Sequence, residues 1–396
     1  MAAQNLFSNI GQTQNHIFKN RAAMVSDFVP LTLPHRENEI RRLAQIVAPA
    51  LTSTRPNNAF MYGLTGTGKT AVLKYVLKVL IDEAGKRGVG VEVAYVNGRK
   101  DDTGYRVLTQ IGRQLHLSLP FTGLSVSEVY SRIVEHIDKI GKIVVISIDE
   151  IDNLVRENTS NLLYKITRIN SDLVKAQVSL IGITNDSRVL ESLDPRVRSS
   201  LGEEELVFAP YDSDQLNDIL QVRALDAFNP GVLEEGVIPY VAALAAKDHG
   251  DARKAVDLLR KAGEVAERNG DRFVETGHVK QALTEIETDT ALEILEKLPF
   301  HSKLVLASIV KLSQSNRNVI TGDVYAMYLS MCSKLGTEIL TARRISEIVS
   351  ELDMVGIIST KILNRGRFGR TKKILVNVDP KNIWVMLSRD PLLATL

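Results

Sequence analysis

Residues Asn58–Ala71 read NAFMYGLTGTGKTA. Phe60, Met61 and Tyr62 form a short apolar run suited to a buried strand. Gly63, Leu64, Thr65, Gly66, Thr67, Gly68, Lys69 and Thr70 then match G-x-x-x-x-G-K-[ST]. Val72, Leu73, Val76, Leu77 and Leu80 follow at helical spacing. Strand, glycine-rich loop and helix in that order make a phosphate cradle, because glycines let backbone N–H groups converge without Cβ clashes. The helix adds its positive N-terminal end. Lys69 is placed to reach the β- and γ-phosphates and the Thr70 hydroxyl to ligate Mg²⁺. The segment from Gly63 through Ala71 is therefore expected to bind ATP or ADP with Mg²⁺.

Working outward, strand-like runs at Ala59–Tyr62, Val91–Val96, Ile143–Ile148 and Val178–Ile183 alternate with helical patterns such as Thr103–Leu115 and Ser127–Lys139. Continuous apolar strands alternating with helices predict a parallel sheet covered on both faces. The third run ends in Asp149-Glu150, within VVISIDEID. Two acids at the end of a buried strand are costly unless a metal or water network occupies them. Asp149 suits a ligand acting on Mg²⁺ through its water shell, and Glu150 suits the base that polarises an attacking water. Asn185, just past the fourth run in IGITND, is expected to position that water or touch the γ-phosphate.

Composition agrees with an intracellular globular protein of two or three domains: 396 residues, 44% hydrophobic and 24% charged. No apolar run approaches the ~20 residues that span a bilayer, so no membrane partner is expected. The N-terminus lacks a secretory pattern, and the chain reads as cytoplasmic and nucleoid-associated. Cys332 is the single cysteine, which excludes an internal disulfide and a cysteine zinc site, and its apolar helical setting makes it a core residue. The net charge of +2 hides an asymmetry. Residues 301–396 carry 14 Lys+Arg against 7 Asp+Glu, leaving 35 and 40 in residues 1–300. An anionic partner is expected at the C-terminal end.

That end has its own plan. Residues 1–20 read as a flexible arm and 21–210 as the nucleotide-binding core. After Pro210 the strand signal stops, and Ser213–Phe228, Glu234–Lys247, Asp251–Arg268 and Thr276–Glu287 predict a helical domain over 211–290. A third unit, 291–396, has helices near Ser302–Ser313, Gly322–Lys334 and Ala342–Leu352, then a hairpin from Ile357–Leu363 to Ile374–Val378: a winged helix-turn-helix. In its last helix Thr341 is the N-cap, and Ile345, Ile348, Val349 and Leu352 form the buried face. Arg343, Arg344, Glu347 and Ser350 then face outward, where the arginines suit guanine edges in a major groove. The turn NRGRFGRTKK offers Arg365, Arg367, Arg370 and Lys372 to a minor groove or to phosphates.

GLTGTGKT, IDEID, IGITND, DPRVRSSL and GDARKAVDLLRKAGEVA occur in the order seen in AAA+ ATPases of the initiator clade. The chain closely resembles the archaeal origin-recognition and cell-division-control initiators, homologous to eukaryotic origin recognition complex subunits. The resemblance implies an α/β AAA+ P-loop NTPase core with a helical lid and a C-terminal winged helix-turn-helix. It makes Arg253 in GDAR the sensor-2 arginine and sets Pro34, His35 and Arg36 along the base and ribose. Tyr211 and Arg223 join the same nucleotide-facing set. It also implies an initiator-specific helix near the DNA minor groove, with Arg156, Lys165 and Arg168 as its basic residues. In relatives that hydrolyse ATP between subunits an arginine finger ends the segment matched here by DPRVRSSL; Ser200 stands in its place, with Arg196 and Arg198 offset.

The expected function is an ATP-regulated initiator that binds double-stranded origin DNA, helps recruit or load the replicative helicase, works with paralogous initiator subunits, and hydrolyses ATP slowly as a switch. The alternatives are a DNA-binding ATPase regulating transcription or transposition, and a motor or clamp-loader-type subunit.

Overall fold

The computed structural model describes residues 16–395, apart from 26–27, 29, 31, 102, 121, 157–159, 187, 190–192, 315–318 and 365–369. It divides into two compact units, Met1–Val279 and Lys280–Leu396. In the first, α1 (Glu37–Val47) precedes β1 (Ala59–Gly63), α2 (Lys69–Arg87), β2 (Val91–Asn97), α3 (Gly104–Gln114), α4 (Val126–Ile140) and β3 (Ile143–Asp149). Then come α5 (Ile151–Arg156), α6 (Ser160–Thr167), β4 (Gln177–Thr184), α7 (Pro195–Leu201) and β5 (Glu204–Phe208).

All five strands are parallel, in the order β2-β3-β4-β1-β5. Alternate side chains enter two separate cores, because successive Cβ atoms of a strand point to opposite faces. Phe60, Val144, Ile146, Ile148, Val178 and Leu180 pack with α3 and α4 residues such as Leu108 and Ile133. Ala59, Met61, Val145, Ile181 and Ile183 pack with Leu43 of α1 and Val72, Leu73 and Val76 of α2. β3, buried at every position, is covered from both sides. The fifth strand is missing from the sequence expectation: it lies at the sheet edge, and its glutamates interrupt the apolar run although Leu206 and Phe208 are buried.

The lid follows as α8 (Ser213–Ala227), α9 (Val237–Lys247) and α10 (Ala252–Asn269). Asp212 starts α8 with a capping box to Gln215, and Asp251 starts α10 by accepting from the N–H groups of Arg253 and Lys254. Residues 16–20, read from sequence as part of a free arm, are docked here. Ile17 and Phe18 are buried, Phe18 pairs with Phe228 at 4.7 Å between ring centroids, and both Lys19 and Asn20 donate their N–H to Ala227 O. Arg21 pairs with Glu267. A side chain at Gly263 would strike Phe18 and Phe228, so α10 takes the strap flush against its surface.

The helix expected to end at Glu287 continues as α11 (Thr276–Lys297), so residue 291, where the sequence reading began the third unit, lies within it. The second unit then holds α12 (Phe300–Ser313), β6 (Val319–Ile320), α13 (Thr321–Leu335), α14 (Ala342–Met354), β7 (Ile358–Asn364), β8 (Arg370–Val376) and α15 (Pro380–Leu387). β7 and β8 form the expected antiparallel hairpin, and β6 extends it on the far side of β8. Cys332 is fully buried in its core, as its setting predicted.

Truncating a buried phenylalanine costs ~3–5 kcal/mol, which is large for a short docked segment. Phe18→Ala is therefore expected to release residues 16–24 from the lid. Hydrogen exchange should show the Lys19 and Asn20 amides losing protection while β3 keeps its own; unchanged protection at Lys19 and Asn20 would mean that the backbone bonds alone hold the strap.

Candidate nucleotide site and nucleic-acid interface

The first site gathers at the carboxyl ends of β1, β3 and β4, the place where an open parallel sheet offers backbone and side chains to a ligand. β1 runs into the loop and α2 begins at Lys69. Two of its glycines have reasons in the surroundings as well as in their own backbone. At Gly66 (φ +70°) an added Cβ would fall 1.7 Å from Asp251 Oδ1, and at Gly68 (φ +89°) 2.8 Å from the Tyr211 hydroxyl. The lid thus lies directly against the loop, and Ala252 N–H donates to Gly66 O at 3.2 Å.

Lys69 is buried and donates to Gly63 O and Leu64 O at 2.8 and 2.7 Å. The Thr70 hydroxyl donates to Asp149 Oδ2 at 2.7 Å, and Glu150 N–H donates to Asp149 Oδ1 at 2.9 Å. Glu150 sits in the left-handed region (φ +52°), with Oε2 buried and without a hydrogen-bond partner. Burial, then the neighbouring Asp149 charge, raises its carboxyl above the usual range. A strained, unsatisfied acid is a feature that functional sites keep at a cost to stability.

Arg253 and Tyr211 line a cavity of about 120 Å³ together with Gly66, Gly68, Thr70 and Ala71. The Arg253 charge acts on both Lys69 and Glu150. The cavity is also walled by the apolar Phe28, Pro30, Leu33, Ile219, Val222 and Val256, none of which the sequence reading assigned. Such walls carry no motif, since they come from separate segments. Asn185 is half-buried one residue past β4, while the neighbouring Thr184 hydroxyl donates to Asp152.

Three expected nucleotide contacts spend their polar atoms on the protein itself. Arg36, only 4% exposed, donates to Thr67 O, His35 O and Ala209 O at 2.9, 3.0 and 2.6 Å, and its guanidinium lies 3.9 Å over the Tyr211 ring. His35 pairs with Asp218 at 2.8 Å. Arg223 lines the cavity, but it donates to Ala23 O and Phe28 O at 2.8 Å each and stacks on Phe28. Arg36 thereby fixes the loop and Arg223 fixes the apolar wall.

The residues fit a Mg²⁺–nucleotide: glycines whose Cβ space is filled, a buried ammonium, and one carboxylate joined to one hydroxyl, the sparse donor set of a metal held mainly by phosphate and water.

In the second unit Thr341 caps α14 as expected, and Ile345, Ile348, Val349 and Leu352 are buried. Arg343 is exposed (91% of its side chain) beside Glu347; Arg344 pairs with Glu347 at 3.0 Å and Glu351 at 3.2 Å. Lys372 of β8 donates to Ser350 Oγ at 2.8 Å, tying the wing strand to the helix. Arg365 and Arg367 lie outside the described residues, as do the side chains of Arg370 and Arg156; Arg370 pairs with Asn364 through its backbone. In the first unit Arg168 is exposed over the Tyr164 ring, and Lys165 lies over Tyr130. Among the described residues no helix is long and apolar enough to cross a membrane.

Burial is the main force on Lys69, lowering its ammonium to about 8, against the attraction of Asp149. Phosphate would favour the charged form, so binding raises that pKa and takes up a proton near pH 8. Nucleotide affinity is therefore expected to fall as the pH rises past about 8. Calorimetry of ADP binding in buffers of different ionisation heat should register the uptake, which Lys69→Ala should abolish along with most binding. Identical apparent heats at pH 8 in all buffers would contradict it.

Three family models match in sequence order: an AAA domain over residues 53–190, a Cdc6 AAA+ ATPase-type lid domain over 217–284, and a CDC6 C-terminal winged helix domain over 293–385. ORC1-type DNA replication protein 1 of Aeropyrum pernix is 50% identical over 385 residues, 97% of this chain and 98% of its own length. Its namesake in Sulfolobus acidocaldarius is 49% identical over 365 residues, covering 92% and 91%. The structure of the A. pernix ORC1 protein in complex with DNA matches with a TM-score of 0.81 at 49% identity, over 96% of this chain and 99% of that one. With the P-loop core, the lid and the winged helix all present and the likeness running nearly end to end, this chain belongs to the family of ORC1-type DNA replication proteins, AAA+ ATPases in fold.

Proposed function

We propose that this protein is an ATP-regulated replication initiator that binds double-stranded origin DNA and helps recruit or load the replicative helicase. The observation that carries the reading is the co-occurrence, in one chain, of the cradle at Gly66–Thr70 with buried Asp149 and half-buried Glu150 beside it and a capped helix α14 bearing Arg343 and Arg344. The A. pernix relative is seen in complex with DNA, which supports DNA binding by this protein.

In this reading Lys69 and the loop N–H groups hold the phosphates, Arg253 reaches them from the lid, and the apolar walls take the base. When bound, Mg²⁺ would supply neutralisation of phosphate charge. Asp149 and Thr70 would hold its coordination sphere, Glu150 would polarise the attacking water, and Asn185 would help orient that water. Arg36 and Arg223 act through the loop and the wall. Paralogous initiator subunits are further partners of the DNA-bound state.

On DNA, Arg343 and Arg344 would read base edges, whereas Arg365, Arg367, Arg370 and Lys372 would hold phosphate or the minor groove, with Arg156 and Arg168 adding contacts from the core. Arg344→Ala is expected to lower the ratio of origin to random DNA affinity by about tenfold. Arg367→Ala should weaken both DNAs alike and flatten the salt dependence, as phosphate contacts do. Fluorescence anisotropy titrations over a range of salt separate the two; unchanged affinity and slope in both variants would remove the winged helix from the reading.

Hydrolysis is expected to be slow. Arg196 is held by Asp194 through two hydrogen bonds, at 3.1 and 2.9 Å, and stacks on Tyr164, while the Ser200 hydroxyl turns to Thr167 O. An arginine supplied by a neighbouring subunit is worth ~10³–10⁵ in turnover. Lacking one at Ser200, the protein should show low turnover per subunit that stays flat as its concentration rises, and Glu150→Gln should retain ATP while losing what turnover there is. A steep concentration dependence removed by Arg198→Ala would establish a finger and overturn the switch-like reading.

A further inference from the structure

Tyr95 is a half-buried polar side chain beside Asp149 to which the reading above gives no part. It stands on β2, opposite Ser147 of β3 and two residues before Asn97, the partner of Asp149. Its ring lies on the α2 side of the sheet, with the Lys74 ammonium 5.0 Å from the ring centroid. The phenol donates to Asp149 Oδ2 at 2.8 Å, the oxygen that also accepts from Thr70 at 2.7 Å. With Glu150 N–H on Oδ1, three donors from three elements converge on this one carboxylate.

Tyr95 is itself held. β2 is an edge strand, and an edge strand leaves backbone groups without a ladder partner. Gln114, at the end of α3, fills that gap at Tyr95: its Oε1 accepts from Tyr95 N–H at 2.9 Å and its Nε2 donates to Tyr95 O at 2.7 Å. The result is a chain of contacts from α3 through β2 to the carboxylate. Burial first, and then the Asp149 charge, pushes the phenol above its usual range, so at neutral pH it remains a donor.

We propose that Tyr95 is the positioning residue for the Asp149 carboxylate, fixing its rotation so that the remaining lone pairs face the water shell of nucleotide-bound Mg²⁺. The reason is torsional. The last torsion of an aspartate is broad and roughly two-fold, so a carboxylate held only by the N–H of the next residue and one rotatable hydroxyl keeps freedom to turn. A third donor on a rigid ring, anchored at its backbone on a different strand, restricts that motion. Tyr95 does not line the cavity, and its hydroxyl reaches the site through Asp149. The proposal rests on the nucleotide site assigned above.

Partners that orient a metal ligand typically contribute 10–100-fold to metal affinity. Tyr95→Phe removes one hydroxyl and leaves the ring. Calorimetric titration of ATP at varied Mg²⁺, and separately in EDTA, reads the effect without turnover. The Mg²⁺ concentration for half-maximal tightening is expected to rise about tenfold or more, while ATP affinity in EDTA and the ligand-free melting temperature stay at wild-type values. An unchanged Mg²⁺ dependence overturns the proposal. An equal loss with and without Mg²⁺ also overturns it, since Tyr95 would then support the loop generally. If Tyr95→Phe does not fold, Gln114→Leu, which frees the Tyr95 backbone, is read by the same two titrations with the same outcomes. Absence of nucleotide binding in the unsubstituted protein would sink the site assignment itself, whereas a wild-type Mg²⁺ dependence that survives Tyr95→Phe sinks this proposal alone.

Discussion

The phosphate loop and the lid compete for the same few ångströms, and the nucleotide site follows from how that contest is settled. Asp251 caps α10 with its carboxylate in the volume that any side chain at Gly66 would need, and Ala252 N–H reaches back to Gly66 O. From behind, the Arg36 guanidinium takes Thr67 O and Ala209 O, joining the loop to the segment that leads into the lid. Glycine is demanded here twice over, by positive φ and by the neighbour. Because the loop is gripped from two sides, its N–H groups keep a common direction without help from its own side chains.

Most of the first unit was legible because its strands are buried on both faces and its loop carries glycines at fixed offsets. β3 is buried throughout, apolar but for Ser147 before it reaches Asp149, and Glu150 follows directly. β5 was invisible for the opposite reason: Glu204 and Glu205 open an edge strand in which only Leu206 and Phe208 are buried. The winged helix was read correctly from the 3–4 spacing of Ile345, Ile348, Val349 and Leu352, whose burial is what gives that spacing meaning.

What sequence could not deliver is where polar atoms spend their hydrogen bonds. Arg36 and Arg223 sit in the right neighbourhood for a ligand, yet carbonyls up to 200 residues away claim their donors. Tyr95 looks like one more β-sheet aromatic until its hydroxyl is seen on Asp149. The apolar cavity walls fail for a related reason, since Phe28, Ile219 and Val256 belong to three segments that meet only in the folded unit. Motifs encode local geometry; convergence from distant segments leaves no local pattern to find.

The strap at residues 16–24 has a consequence for how the chain comes to be made. Ala23 and Arg223, which bond in the finished structure, are 200 residues apart, and Arg21 meets Glu267 across 246. Synthesis therefore releases Ile17 and Phe18 long before the lid surface that buries them exists. Contacts of such separation form late, and an apolar segment left waiting is open to wrong partners in the interval. The same arithmetic means that the lid is not a self-contained parcel. Cut out at its sequence borders, it would leave the Phe228 and Gly263 face bare, because the segment that covers that face is supplied from some 200 residues earlier in the chain.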